Sequence, residues 1–250
     1  MKIRKEVVII AGVFVLFALV LAVVTLHQND KNRGDFAARI ISEGSDKSLD
    51  TIAGLKAAIA ANEKKIAQHV QDAGKTAYYW KILAIRLQDQ GLHGDALDAL
   101  ERAIYYAPTD ASLHYYTGVS AGVLAKSVHS YPGPGTDNTE RNRYYLIAED
   151  AYLRAIELDP LYLRPRYGLA VLYVFELNRP EDAVPLLQRY LEISRNDLDS
   201  MFVLARAYYM LKRYQEAVDL YDRIITLSGN AQQRNEAQNN RQQVLGMMHG

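Results

Sequence analysis

The sequence contains no cysteine among its 250 residues. Disulfide bonds, thiolate metal sites, a cysteine nucleophile and a lipid-modified N-terminal cysteine are therefore excluded. Neither sign of charge is in excess, because 29 lysine and arginine residues balance 29 aspartate and glutamate residues. A balanced charge gives the chain no overall attraction to nucleic acid or to anionic lipid.

Motifs of catalysis and nucleotide binding are also missing. The sequence has no GxGxxG motif and no phosphate-binding loop with its lysine. Its six histidines are scattered without the spacing of metal ligands. The acidic pair Glu181-Asp182 stands at a predicted helix start, where the helix dipole favours negative charge. These absences predict a protein that is not an enzyme and that uses no metal or cofactor.

One long apolar run lies near the N-terminus. Val7 to Leu26 comprises 20 residues without a charge, and at about 1.5 Å per residue it spans roughly the 30 Å of a bilayer's hydrocarbon core. The alternative is a cleaved signal peptide, whose apolar region is typically about 7–15 residues and ends at a small-x-small site. The residues at 23–27 form no such site, so an uncleaved transmembrane anchor is predicted.

The flanks of this run predict its orientation. Residues 1–6 carry three basic residues, whereas acidic and basic residues offset each other just after the run. The positive-inside rule then places the N-terminus in the cytoplasm and the rest of the chain outside it. We expect a single-pass membrane protein, with its main domain in the periplasm if the cell has two membranes. Residues 27–47 are polar and are typical of a flexible tether.

A helix is predicted over 48–76, ahead of the main domain. Apolar residues recur there near helical spacing and form one stripe: Ile52, Leu55, Ile59, Ile66 and Val70. Gly74 is expected to end this helix. Its predicted role is to cap the N-terminal end of the array that follows, and the alternative is a helix that binds a partner.

The sequence from 77 to 231 repeats itself with a period near 34 residues. In the first unit, an apolar helix face is followed by a glycine, by a second helix with small residues on one face, and by a proline. These places hold Trp80, Leu83, Ala84, Leu87, Gly91, Ala96, Leu100, Ala103 and Pro108. The first small residue of the second helix recurs at Ala148, Ala183 and Ala217, at intervals of 35 and 34 residues. Such a period predicts a stack of helix pairs, which cross closely only where the side chains are small.

This pattern resembles the tetratricopeptide repeat. The resemblance covers four units, at 77–110, 111–162, 163–197 and 198–231. It implies an all-α, right-handed solenoid of about four helix pairs, which we expect a soluble helix at 232–250 to cap. The sequence departs from the family pattern at Thr117, Arg195 and Gly229, which stand where a leucine and two prolines are expected.

An insertion interrupts the second unit. Ala96 and Ala148 are 52 residues apart, which leaves 18 residues beyond one period. The insertion is placed at 127–143, where the proline and glycine residues of 130–135 favour a surface loop. Tyr131 is its candidate binding residue, and a loop without a function is the alternative.

The resemblance also implies a concave groove lined by the first helix of each unit. One equivalent position reads Lys81, Tyr115, Tyr167 and Phe202 along the stack. Aromatic side chains of this kind offer a large contact area at small entropic cost. The predicted partner-binding residues are Tyr78, Lys81, Tyr115, Val119, Arg164, Tyr167, Val171, Phe175, Phe202, Arg206 and Tyr209. Ile85 and Val119 occupy the place of the asparagine with which some family members bind a terminal carboxylate, so that specificity is not expected.

These features together predict a membrane-anchored scaffold that binds a peptide or protein partner in its groove and helps to assemble a cell-envelope complex. Three alternatives stay open. The groove is filled by the chain's own helices, or it binds a small molecule or lipid for a transport system, or the domain is purely structural and forms homo-oligomers.

Overall fold

The computed structural model of the chain describes residues 51–129 and 139–249. The predicted anchor at 7–26, the tether at 27–47 and Tyr131 lie outside these residues. Regular structure in the described part is entirely helical, in the order α1 Ile52–Asp89, α2 His93–Tyr106, α3 Ala111–His129, α4 Thr139–Leu158, α5 Leu163–Phe175, α6 Pro180–Ile193, α7 Leu198–Met210, α8 Tyr214–Leu227 and α9 Ala231–His249. None of these helices combines the length and the apolar character that crossing a bilayer needs.

The chain divides into two units, residues 1–69 and residues 70–250. The described part of the first unit, from residue 51, consists almost entirely of the N-terminal portion of α1. Its apolar stripe is exposed, with exposed fractions from 47% at Leu55 to 76% at Ile52.

The expected end of this helix at Gly74 is wrong, because α1 continues to Asp89. A glycine inside a helix costs only about 1 kcal/mol relative to alanine. The residues around it are mostly good helix formers, so one glycine does not stop the helix.

The second unit is a succession of helix pairs, which confirms the predicted all-α architecture. We call α3, α5, α7 and the C-terminal part of α1 the A helices, and α2, α4, α6 and α8 the B helices. From α2 to α9 each helix packs on the next, and α3 contacts α5 as α5 contacts α7. The small residues predicted at the crossings, Ala96, Ala148, Ala183 and Ala217, are fully buried.

Three of the turns from an A helix to a B helix share one backbone conformation. Gly91, Asn178 and Lys212 have φ values of 76°, 52° and 58°, in the left-handed region that reverses the chain tightly. The next residue then donates its backbone N–H to a carbonyl near the end of the A helix. These bonds, each 2.8 Å long, run from Leu92 to Leu87, from Arg179 to Tyr173 and from Arg213 to Tyr208.

The helices beside the insertion are longer than the other helices between α2 and α8. α3 has 19 residues and α4 has 20, whereas α5 has 13. The predicted loop bounds of 127–143 are therefore wrong at both ends, because 127–129 and 139–143 are helical. The charged and hydroxyl groups nearby explain part of this extension, since they tie α3 and α4 to the end of α5.

Glu176, just after α5, makes that connection. It accepts a hydrogen bond of 2.7 Å from the Tyr145 hydroxyl and pairs with the Lys126 ammonium at 2.9 Å. Burial acts to raise the pKa of the Glu176 carboxyl, but the hydrogen bonds from Lys126 and Tyr145 outweigh it and lower the pKa. Burial, together with the hydrogen bond to Glu176, raises the pKa of Tyr145 to about 12.

A single aromatic ring separates α3 from α5. Tyr152 projects from α4 and is 7% exposed. A methyl group at Gly118 would lie 2.6 Å from the ring atom Cε1, and one at Gly168 would lie 2.8 Å from Cζ. The ring is thus held between two glycines on neighbouring A helices.

Replacing Gly118 by alanine should therefore destabilise the fold. We expect the free energy of unfolding to fall by about 1–3 kcal/mol, the usual cost of overpacking a core, in urea unfolding followed by circular dichroism.

Gly122 is the matched control, one turn further along α3. A methyl group there meets no heavy atom within 4 Å, so Gly122→Ala should stabilise the chain by about 0.5–1 kcal/mol through helix propensity alone. Equal effects of the two substitutions would show that the Tyr152 ring does not constrain Gly118.

Candidate functional site

Three aromatic side chains occupy one position on successive A helices. Tyr115 on α3, Tyr167 on α5 and Phe202 on α7 are each half-buried, and we call them the aromatic row. Each ring contacts another ring from a B helix or a turn. The centroid distances are 5.4 Å for Tyr115 and Tyr162, 6.1 Å for Tyr167 and Tyr190, and 6.2 Å for Phe202 and Tyr221.

The middle cleft lies between the first two members of the row and has a volume of about 390 Å³. Its lining consists of Tyr115, Tyr152, Arg164, Tyr167, Gly168, Val171 and Tyr190. Burial raises the pKa of Tyr115, and the pKa of Tyr162 beside it rises to about 12 for the same reason.

A smaller apolar cleft of about 170 Å³ lies on the other side of the Tyr152 ring. Val119 and Val171 form part of its wall together with Gly122. Lys126 and Glu176, which pair with each other, close its polar end. Because that charge is already compensated, this cleft offers mainly apolar contact.

The terminal cleft lies among α5, α7, α8 and α9 and has a volume of about 240 Å³. The residues that line it are Phe175, Phe202, Val203, Arg206, Tyr209, Tyr221, Glu236, Asn240, Gln243 and Val244. Ala237 and Val244 of α9 are buried in the core of the array. The C-terminal helix therefore forms one wall of this cleft and does not fill it.

Two arginines on this surface differ from those that pair with a nearby glutamate. Arg154, Arg189 and Arg213 pair with a glutamate three residues further along. Arg164 and Arg206 are exposed and form no ion pair within the described ranges. Arg206 lies 5.3 Å from the centroid of the Tyr209 ring, and Arg164 interacts with the Tyr162 hydroxyl. Both guanidinium groups keep hydrogen-bonding capacity for a ligand.

The structure brings together most of the residues that the sequence singles out. Tyr115, Arg164, Tyr167 and Val171 line the middle cleft, and Val119 lines the smaller one. The remaining members, Phe175, Phe202, Arg206 and Tyr209, meet in the terminal cleft.

Two predicted residues stand apart from these clefts. Tyr78 is 58% exposed, contacts Tyr79 and lines none of the three. Lys81 is occupied by an ion pair of 3.1 Å with Asp110. Burial opposes the charge of Asp110, but hydrogen bonds from Ser112 and Lys81 lower its pKa. The aromatic row therefore begins at Tyr115.

Sequence reasoning missed the contribution of the B helices and of α9. The rings of Tyr152, Tyr190 and Tyr221 and the polar groups of Glu236, Asn240 and Gln243 all line the clefts. A signal existed for two of them, because Tyr152 and Tyr221 each follow a conspicuous small residue, Ala148 or Ala217, by four positions. The described residues hold no cluster of three or more potential metal ligands.

Comparison with known families agrees with the geometry of the helix pairs. Two family models described as tetratricopeptide repeat match residues 140–197 and 174–234. Together the two matches cover residues 140–234, which are therefore similar to tetratricopeptide repeats. A "TPR repeat-containing protein" of Borreliella burgdorferi is 20% identical over 191 residues, which are 76% of this chain and 79% of that protein.

Solved structures of such repeats are also similar. MamA from Desulfovibrio magneticus RS-1 has a TM-score of 0.53 at 14% identity, over 70% of this chain and 97% of that one. YrrB, described as a TPR protein with an unusual peptide-binding site, has a TM-score of 0.52 at 19% identity, over 73% and 88% of the two chains. At such identities the likeness shows the scaffold fold alone.

Proposed function

We propose that this chain is a membrane-anchored scaffold that binds a segment of a partner protein on its A helices. The aromatic row beside two arginines without ion pairs is the observation that carries the proposal. Half-buried rings provide contact area at little entropic cost. Arg164 and Arg206 supply directional hydrogen bonds to a carboxylate or a backbone carbonyl.

The clefts support a peptide or an amphipathic helix as the ligand. They lie one after another along the A helices, with volumes of about 390 and 240 Å³. Peptide recognition commonly combines such pockets with a few polar groups that fix the backbone or its ends. The fold of YrrB, described as having a peptide-binding site, is compatible with this role.

The apolar run from Val7 to Leu26 supports the membrane part of the proposal. Its length matches a bilayer core and its flanking charges favour a cytoplasmic N-terminus. The repeats would then act outside the cytoplasm, as an adaptor in the assembly of an envelope complex.

Photo-crosslinking in living cells tests the binding surface. A photoreactive amino acid at Tyr167 or at Phe202 should form an adduct with a second protein. Tyr105 is the matched control, because it is a tyrosine on α2 that is 80% exposed and lines none of the clefts. Adducts confined to this chain itself at Tyr167 and Phe202 would contradict the proposal and favour a groove filled by the chain's own residues.

A reporter fused after Gly250 tests the topology. One that is active only in the cytoplasm should be silent, and deletion of 7–26 should restore its activity because the fusion is then retained inside. Activity in the intact fusion would show that the repeats lie in the cytoplasm.

A further inference from the structure

The terminal cleft contains polar groups that distinguish between the two kinds of ligand. Asn240 and Gln243 are three residues apart on α9 and line the same cleft as Phe202 and Tyr221. Neither side-chain amide is engaged in a hydrogen bond within the part of the chain that the structure describes. Each amide thus offers both a donor and an acceptor to whatever enters the cleft.

The donor and acceptor of each amide are complementary to the backbone C=O and N–H groups of an extended peptide. In a bound helix the central N–H and C=O groups are satisfied within the helix, so they are not available to an external amide. An extended segment leaves both groups free, and burying them without partners is costly. A neighbouring donor and acceptor pair is therefore of use to an extended ligand and of little use to a helical one.

The charges around the cleft favour backbone recognition as well. Arg206 and Glu236 are both exposed and line it, with opposite signs. Both act on Tyr221, whose pKa is raised by burial, with Arg206 opposing and Glu236 adding to the shift. Because the two charges offset each other, the cleft does not select a strongly acidic or basic segment.

We propose that the terminal cleft binds an extended peptide segment of the partner. Asn240 and Gln243 hold its backbone, and one apolar side chain of the segment rests against Phe202 and Tyr221. This inference rests on the proposed function and adds to it that the ligand is extended at this end and that α9 takes part in binding.

α9 itself supplies a matched control. Asn239 and Gln242 are the same two residue types, one position earlier. All four residues line a neighbouring surface of α9, but Asn239 and Gln242 do not line the terminal cleft. The test variant combines Asn240→Ala with Gln243→Ala, and the control variant combines Asn239→Ala with Gln242→Ala. Because alanine has a higher helix propensity than asparagine or glutamine, neither double variant should weaken α9. Thermal unfolding checks that both double variants stay folded.

The experiment uses the full chain in lipid nanodiscs. Binding peptides are selected from a phage-displayed library of random sequences. Each peptide has about a dozen residues, so that an extended ligand can reach several clefts. Selected peptides are synthesised with a fluorophore, and their Kd is measured by anisotropy.

The Asn240→Ala, Gln243→Ala variant should weaken binding about tenfold or more, as expected for two lost hydrogen bonds. The Asn239→Ala, Gln242→Ala variant should stay within about twofold, because it removes no contact to the ligand. N-methylation of the peptide backbone at one or two positions should weaken binding to the parent chain but not to the Asn240→Ala, Gln243→Ala variant.

The outcomes separate this inference from the proposed function. Phe175→Ala is the reporter for the cleft, since Phe175 lines it and is 54% exposed. If no peptide binds, or if binding ignores Phe175→Ala and every substitution in the aromatic row, the proposed function itself fails. If Phe175→Ala weakens binding while the two amide variants behave alike, the peptide site stands and the extended mode is overturned.

Discussion

The ring of Tyr152 between Gly118 and Gly168 is the contact on which the rest of the array depends. It fixes how closely α3 and α5 approach, because neither glycine leaves space for a methyl group. The same ring lines both the middle cleft and the smaller apolar cleft. One side chain therefore sets the spacing of the A helices and forms part of the surface that they present. Stability and binding geometry share a cause here, so a change at this ring should alter both.

The arginines of the array fall into those that pair with an acidic residue and those that do not. Arg179 lies 4.4 Å from the centroid of the Tyr173 ring and pairs with Asp182, and Arg213 lies over Tyr208 and pairs with Glu216. These contacts stabilise the turns between A and B helices. Arg164 and Arg206 have no such acidic partner in the described residues. Their hydrogen-bonding capacity stays on the same surface as the aromatic row, which is where a partner would use it.

Much of this architecture could be predicted from the sequence, because close helix crossings demand small residues at a fixed period. Ala148, Ala183 and Ala217 indicated the helix pairs, and one periodic position indicated Tyr115, Tyr167 and Phe202. The same period marks the position of Tyr152, four residues after Ala148, but the contacts of its ring could not be predicted. Its ring reaches from a B helix to the A helices of two units, whereas a repeat pattern relates equivalent residues and not those in contact.

Other features escaped the sequence for different reasons. Gly74 looked like a helix end, but a helix interior accepts a glycine at small cost. The role of α9 was hidden because Asn240 and Gln243 belong to a helix whose composition is typical of a soluble cap. The structure shows Ala237 and Val244 packed in the core, and it places those amides at the terminal cleft.

A double-mutant cycle between Gly118 and Tyr152 tests this account most directly. The free energy of unfolding is measured for the parent chain, for Gly118→Ala, for Tyr152→Leu and for the double variant. If the ring imposes the constraint, Gly118→Ala should lower the free energy of unfolding by about 1–3 kcal/mol when residue 152 is tyrosine. The same substitution should have almost no effect in the Tyr152→Leu background. An equal cost in both backgrounds would contradict the claim that this ring sets the spacing of the stack.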